Sequence, residues 1–369
     1  HIIGLPDWRT SNYIIGLKRV YATTEDITLL TDNILKEPLP ATVVDIIRRA
    51  SWVDARATFG GRLTSFRVVG NVATGVGGVS GDVAIHQMKD GGLDVSGTLK
   101  TNNLDLGKTL AVDNLHRLNS EIVVDGTIEG FEAGGIVGDV DVRVADVGFG
   151  SYVYRDIEGV GRINGKSYYA EVNAHDPNLE LGLYANIDMG SEVPTYDLSI
   201  ALDRADLHAI GINSRDTVSV LSANVTAGLR GRTLEDMDGN IRISDGEYHY
   251  PGNVLDVGRM DIAIDSNNSQ KFLRAESKLF TLDYHSHSTY REVVDYVYNS
   301  LKTYVPLLYD NGSNIAVSEG ATNVPRDYTA ITFQAGESIN ELLDAVATSF
   351  MMAPNTEMGI IFNPKSNNI

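Results

Sequence analysis

The chain of 369 residues contains no cysteine, which excludes a disulfide scaffold, a Cys-ligated zinc site, an iron–sulfur cluster and a cysteine nucleophile. Basic residues are scarce: 30 Lys and Arg stand against 49 Asp and Glu, a net charge of −19. Such a balance argues against a partner bound by phosphate neutralisation, so nucleic acid is not expected. No run of about 18 apolar residues occurs, so no helix is expected to span a membrane, and no signal peptide is visible. The chain starts at His1 and stops in Asn-rich sequence at Ile369, and it reads as part of something longer. Proline is also sparse, with 10 residues, whereas glycine, with 36, exceeds the average share of about 7%. Few prolines and many dispersed glycines suit short strands joined by tight turns.

Periodicity supports that reading. In residues 1–52 the pattern is mixed. Ile27, Leu30, Ile34 and Leu35 have helical spacing within Thr24–Leu35, and Val43, Val44, Ile46 and Ile47 suggest a second short helix ending at Arg48 and Arg49. From about Val53 the period becomes two. Leu93–Leu99, Ile122–Ile128, Val140–Val144, Leu179–Met189, Tyr196–Leu202 and Leu221–Leu229 all alternate, with one face apolar and the other mostly polar or Gly. Lys89–Gly92, Asn164–Gly165, Asp238–Gly239 and Asp245–Gly246 are read as turns between strands. About 15 to 18 strands are expected between Val53 and Tyr284, so residues 53–287 form a repetitive antiparallel β region. An amphipathic helix follows over residues 288–306. Tyr290, Val293, Val294, Val297, Leu301 and Val305 step by three and four, with a capping-box pair at Thr289 and Glu292. Residues 307–369 continue with strand and with a helix over Ser338–Met352.

No catalytic signature emerges, and no cofactor or metal site is expected. Gly107-Lys108-Thr109 looks like the end of a phosphate loop, but Asn102 stands where the first glycine belongs, and the flanks read as strand–turn–strand. Asp236, Asp238, Asn240 and Glu247 have calcium-loop spacing, yet Ile241 occupies the obligatory glycine position, so a surface hairpin is the better reading. The glycines of Gly75–Gly81 have the wrong spacing for a dinucleotide fingerprint or a nucleophile elbow. His285 and His287 would share a strand face without an evident third metal ligand. A polysaccharide-acting β enzyme would need carboxylates clustered with basic or aromatic residues, and the polar strand positions show no such cluster.

The apolar stripe has two readings. It is either a buried core, packed against a second sheet, or the open lining of a long groove. In the second case 15 to 18 strands at about 4.8 Å each would extend roughly 70–85 Å.

Several phrases in succession resemble the TamB branch of the AsmA-like translocation and assembly module family. They are LDVSGTLKTNNLDLGKTL (Leu93–Leu110), SEIVVDGTIEG (Ser120–Gly130), DPNLELGLYANID (Asp176–Asp188), TYDLSIALDRADLHAIGI (Thr195–Ile212), LSANVTAGLRGRTLEDMDGNIRISDGEYHY (Leu221–Tyr250) and FLRAESKLFTLDYHSHSTYREVVDYV (Phe272–Val297). ATFGGRLTSFRVVG (Ala57–Gly70), after two short helices, is similar as well. The resemblance implies an all-β fold: a long curled antiparallel sheet forming a taco-like hydrophobic groove with a few short helices. It implies a non-enzymatic periplasmic protein, anchored in the inner membrane by sequence outside this chain. It also implies one of two roles, phospholipid passage between the membranes or help in assembling outer-membrane β-barrel proteins. The expected partners are therefore phospholipid acyl chains or such a barrel. The groove lining would include Leu179, Leu181, Leu183, Ile187, Leu198, Ile200, Leu202, Val225, Leu229, Ile262 and Ile264.

Overall fold

The structure, a computed structural model, describes residues 1–4, 11–27, 29, 41–130, 134–267, 269–296, 328–347 and 351–364. Among the described residues the fold is all-β, with nineteen antiparallel strands in one sheet that is not closed into a barrel, and few short helices. It divides into two units. The first comprises His1–Asn186 and Leu202–Ser219; the second comprises Ile187–Ala201 and Val220–Ile369.

In the first unit β1 (Ile2–Ile3), β2 (Asn12–Thr23), β3 (Trp52–Arg62), β4 (Ser65–Thr74), β5 (Gly77–Gln87), β6 (Leu93–Asp105), β7 (Leu115–Ile128), β8 (Ile136–Phe149), β9 (Tyr152–Asn164) and β10 (Ser167–Asp176) form an up-and-down meander. Each strand is laddered to the next. Helices α1 (Ala41–Ala50) and α2 (Leu106–Leu110) interrupt it. The strands β11 (Leu179–Asp188) and β12 (Thr195–Asp206) have residues in both units. In the second unit β13 (Val220–Arg230), β14 (Asp238–Tyr250), β15 (Asn253–Ser266), β16 (Lys271–Ser277), β17 (Phe280–Ser286), β18 (Thr329–Ala335) and β19 (Glu357–Phe362) form another meander. Helix α3 (Ile339–Ala347) lies between β18 and β19.

Several local expectations change. Residues 12–23 are a strand: Ile14, Ile15, Leu17, Val20 and Tyr21 are exposed, and a register shift between Leu17 and Val20 hides the period of two. Residues 24–27 are helical, and the rest of the helix expected to Leu35 lies outside the described residues apart from Leu29. Neither of two expected turns forms: Asp238 and Gly239 open β14 and pair on both sides, and Asp245 and Gly246 make a bulge inside it, where Asp245 takes φ +53°. The Asn or Asp preference for left-handed backbone serves a bulge as well as a turn. Leu106–Leu110, read as a turn between strands, is one helical turn whose first N–H groups are capped by Asp105, which accepts from Lys108 N. Residues 290–296 are helical as expected, and the capping box is formed: Thr289 N donates to Glu292 Oε2 at 2.8 Å, and Glu292 N donates to Thr289 Oγ1 at 3.2 Å. Residues 297–305 of the expected helix lie outside the described residues; the helix expected over Ser338–Met352 is described over Ile339–Ala347, with 348–350 outside the described residues and Met351 and Met352 not helical.

The second unit has a small core where α3 meets the sheet. Leu255, Leu279 and Ala345 are buried there with Tyr248, Tyr250, Val257, Phe280 and Leu342 against them. Tyr250 donates from its hydroxyl to Asp344 at 2.8 Å and ties α3 to β14.

Candidate functional site: an apolar sheet face

Residues directly opposite each other on antiparallel strands share a face, so the ladders convert alternation into rows. In the first unit one row runs Phe59, Val68, Val83, Gly97, Val124, Val140, Gly161, Ala170. The next runs Ala57, Gly70, Gly81, Leu99, Ile122, Val142, Gly159, Val172. Every one of these aliphatic residues is half-buried, neither in a packed core nor fully in water.

The opposite face carries cross-strand ion pairs such as Arg67–Asp82, Lys100–Glu121 and Arg162–Asp139. Glycine shapes the apolar face. Gly126 and Gly138 are direct partners across β7 and β8, and a Cβ on either would lie 2.7–2.8 Å from the other's Cα. Bare backbone therefore floors a cavity of about 230 Å³, walled by Val95, Val124, Ile128, Ile136, Val140 and Ile163. A cavity of about 150 Å³ lined by aliphatic side chains suffices for benzene, so this notch admits a segment of hydrocarbon.

The second unit repeats the arrangement across seven strands. One row is Ala227, Ile241, Ile262, Ala275, Leu282, Phe333, Met358; its neighbour is Leu229, Gly239, Ile264, Leu273, Tyr284, Ile331, Ile360. At about 4.8 Å per strand, seven strands give an apolar strip of roughly 30 Å. Its outer face holds Asp261 between Arg242 (2.8 Å) and Arg259 (2.6 Å).

The structure distributes the expected lining residues as follows. Leu179, Leu181, Leu183 and Leu202 belong to the first unit. Ile187, Leu198, Ile200, Val225, Leu229, Ile262 and Ile264 belong to the second. All eleven lie on strands and all are half-buried. The ladders unite Leu229 and Ile264 in one row through Gly239, and join Val225 to Ile243 and Ile262 to Ile241.

A polar belt, absent from the sequence reading, ends the strip in the second unit. Ser266, Lys271, Ser286 and Thr329 are consecutive cross-strand partners on the same face, and Lys271 is only 2% exposed. Its ammonium meets Glu235 Oε2 at 3.0 Å. Glu235 Oε1 accepts from Tyr290 N at 3.1 Å, the Tyr290 hydroxyl pairs with Ser266 Oγ at 3.1 Å, and Ser286 Oγ pairs with Thr329 Oγ1 at 2.7 Å. The Tyr290 ring stacks on Tyr284, whose hydroxyl burial pushes upward in pKa. A signal was present in the sequence: Lys271 stands two residues before Leu273, and Ser266 and Ser286 stand two after Ile264 and Tyr284. They therefore continue the apolar phase with polar groups.

His285 and His287 lie close, with ring centroids 4.9 Å apart, and the Tyr328 hydroxyl pairs with His285 Nδ1 at 3.2 Å. Burial, helped by His287, lowers the His285 pKa. Among the described residues no group of three or more His, Asp or Glu is placed to hold a metal ion. The Asp236–Glu247 segment is a 3-10 turn (Leu234–Asp236) followed by β14, with Asp238 paired to Arg230. No helix among the described residues is long and apolar enough to cross a membrane.

No family model, curated protein or solved structure matches the chain.

Proposed function

We propose that the chain is a non-enzymatic part of a cell-envelope protein of the TamB and AsmA-like kind, and that its apolar sheet face carries phospholipid acyl chains between the inner and outer membranes. The observation that carries the reading is that the aliphatic rows are half-buried throughout the first unit and, apart from buried Ala275 and exposed Met358 and Ile360, in the second. A face of Val, Ile and Leu left partly in water gains about 0.8 kcal/mol for each methylene it removes from solvent with a bound chain. The charged opposite face keeps such a protein dissolved in an aqueous periplasm.

A second reading, a scaffold that assembles outer-membrane β-barrel proteins by strand addition, is favoured by β19, where Ile360 and Ile361 are each 61% exposed. The two readings part on mutation of the face. After expression targeted to a bacterial envelope, solvent extraction and mass spectrometry are expected to yield about one or more phospholipids per chain. Ile241→Asp with Ile262→Asp, and separately Leu181→Asp with Leu183→Asp, are expected to reduce that yield while circular dichroism stays that of a folded β protein. Folded wild-type protein without phospholipid would overturn the lipid reading in favour of the scaffold.

A further inference from the structure

A lysine is almost never fully buried unless it is paired, because its charge loses hydration. Lys271 is buried on the same face as the aliphatic rows, one residue pair beyond Ile264 and Leu273. Its counter-charge comes from outside the sheet. Glu235 sits on the one-turn 3-10 helix between β13 and β14, beside Leu234, which is 74% exposed. That turn holds its own shape: Thr233 and Asp236 form a reciprocal capping box, and Arg232 donates to the Glu192 carbonyl oxygen. Its fold therefore does not depend on the ion pair. The Glu235 carboxylate meets one ammonium and one backbone N–H, with hydroxyls of Ser266, Ser286 and Tyr290 in the same belt. The carboxylate is thus held by one positive charge and one backbone N–H donor beside a lysine withdrawn from water, while the hydroxyls of the belt pair among themselves. An apolar row starts beside it, since alternate residues on a strand are about 6.6–6.8 Å apart.

We propose that Lys271 is the headgroup position of the second unit's apolar strip, and that Glu235 occupies it as an internal stand-in. A carboxylate or phosphate on a single-tailed amphiphile takes the place of Glu235 on Lys271, and its tail lies along Leu273, Tyr284 and Ile331. The exchange keeps Lys271 paired and returns Glu235 to water, so no buried charge is left alone. The inference rests on the lipid reading above and adds to it a preference for anionic heads at a defined place.

The test is calorimetric titration of the full chain with three ten-carbon ligands: decanoate, decyl phosphate and 1-decanol. Wild-type protein is expected to bind the anions more tightly than the alcohol, and the tighter of the two anions separates a fatty-acid head from a phosphate head. Glu235→Gln removes the tethered competitor, and a tethered group acts at a high effective concentration. Anion binding is therefore expected to tighten about tenfold, with 1-decanol unchanged. Lys271→Met is expected to weaken both anions by about tenfold to a hundredfold, to the level of 1-decanol, as the loss of a charge-assisted hydrogen bond requires. Should Lys271→Met fail to fold, Glu235→Gln decides alone. Equal binding of all three ligands by wild type and by Glu235→Gln would overturn this inference and leave the lipid reading standing. No binding of any of them by folded protein would overturn both.

Discussion

At Asp261 two guanidinium groups converge on one carboxylate. The hydrogen bonds from Arg259 and Arg242, reinforced by their charge, hold its pKa down to about 2. A carboxylate with a lowered folded pKa stabilises the fold fully above its unfolded value of about 3.9, and the contribution is lost as pH falls through the folded value. The window is therefore about pH 4 down to about pH 2. Carboxyl-detected NMR is expected to show Asp261 titrating near pH 2, and in Arg259→Gln to show the midpoint moving up toward the ordinary carboxylate range. A wild-type midpoint near 4 would mean that the two arginines do not hold Asp261 in solution. On the other face the charge of Lys271 is itself buried and is paired with Glu235. Lys271 escaped the sequence reading because a lysine in an acidic chain looks like a surface residue. Only its phase relative to Leu273 marks it, and that phase gains meaning once β16 is paired on both sides.

At the scale of elements, a packed region and an open one lie in the same chain. Leu279 is 1% exposed under α3. Leu279→Ala is expected to cost about 2–5 kcal/mol through lost transfer energy and a cavity. Val142, in the middle of an aliphatic row of the first unit, is half-buried, and Val142→Ala is expected to cost about 1 kcal/mol. Urea denaturation of both variants checks the contrast. Equal large losses would mean that the row is a packed core. The strands themselves were legible, because alternation over Leu93–Leu99, Ile122–Ile128 and Leu221–Leu229 leaves no other regular structure that buries one face. Strands β3 to β17 fill the region where 15 to 18 were expected. The helix start at Thr289 was legible from its capping residues. Strand β2 was not, since residues exposed on both faces around a register shift carry no period. The bulge at Asp245–Gly246 was not either, because it uses the residues a turn uses. The notch over Gly126 and Gly138 requires knowing that the two glycines face each other, which register alone supplies.

At the scale of the whole molecule, the chain combines a strong excess of acid, nineteen antiparallel strands among the described residues, and aliphatic rows that are half-buried throughout the first unit and range in the second from buried Ala275 to exposed Ile360. Cross-strand ion pairs lie opposite the rows, as in Arg67–Asp82 of the first unit and Arg242–Asp261 of the second, whereas Lys271 lies buried on the face of the rows. Lipid carriage makes one physical claim: the rows face a space that water or hydrocarbon enters. The absence of cysteine makes the claim directly measurable, because any introduced thiol reports alone. The measurement is the rate at which a water-soluble maleimide labels Val142→Cys, against exposed Val123→Cys and buried Leu279→Cys. Val142→Cys is expected to react within about tenfold of Val123→Cys, far faster than Leu279→Cys, and loading with phospholipid vesicles is expected to slow Val142→Cys alone. Labelling of Val142→Cys as slow as that of Leu279→Cys, with no response to phospholipid, would contradict the claim.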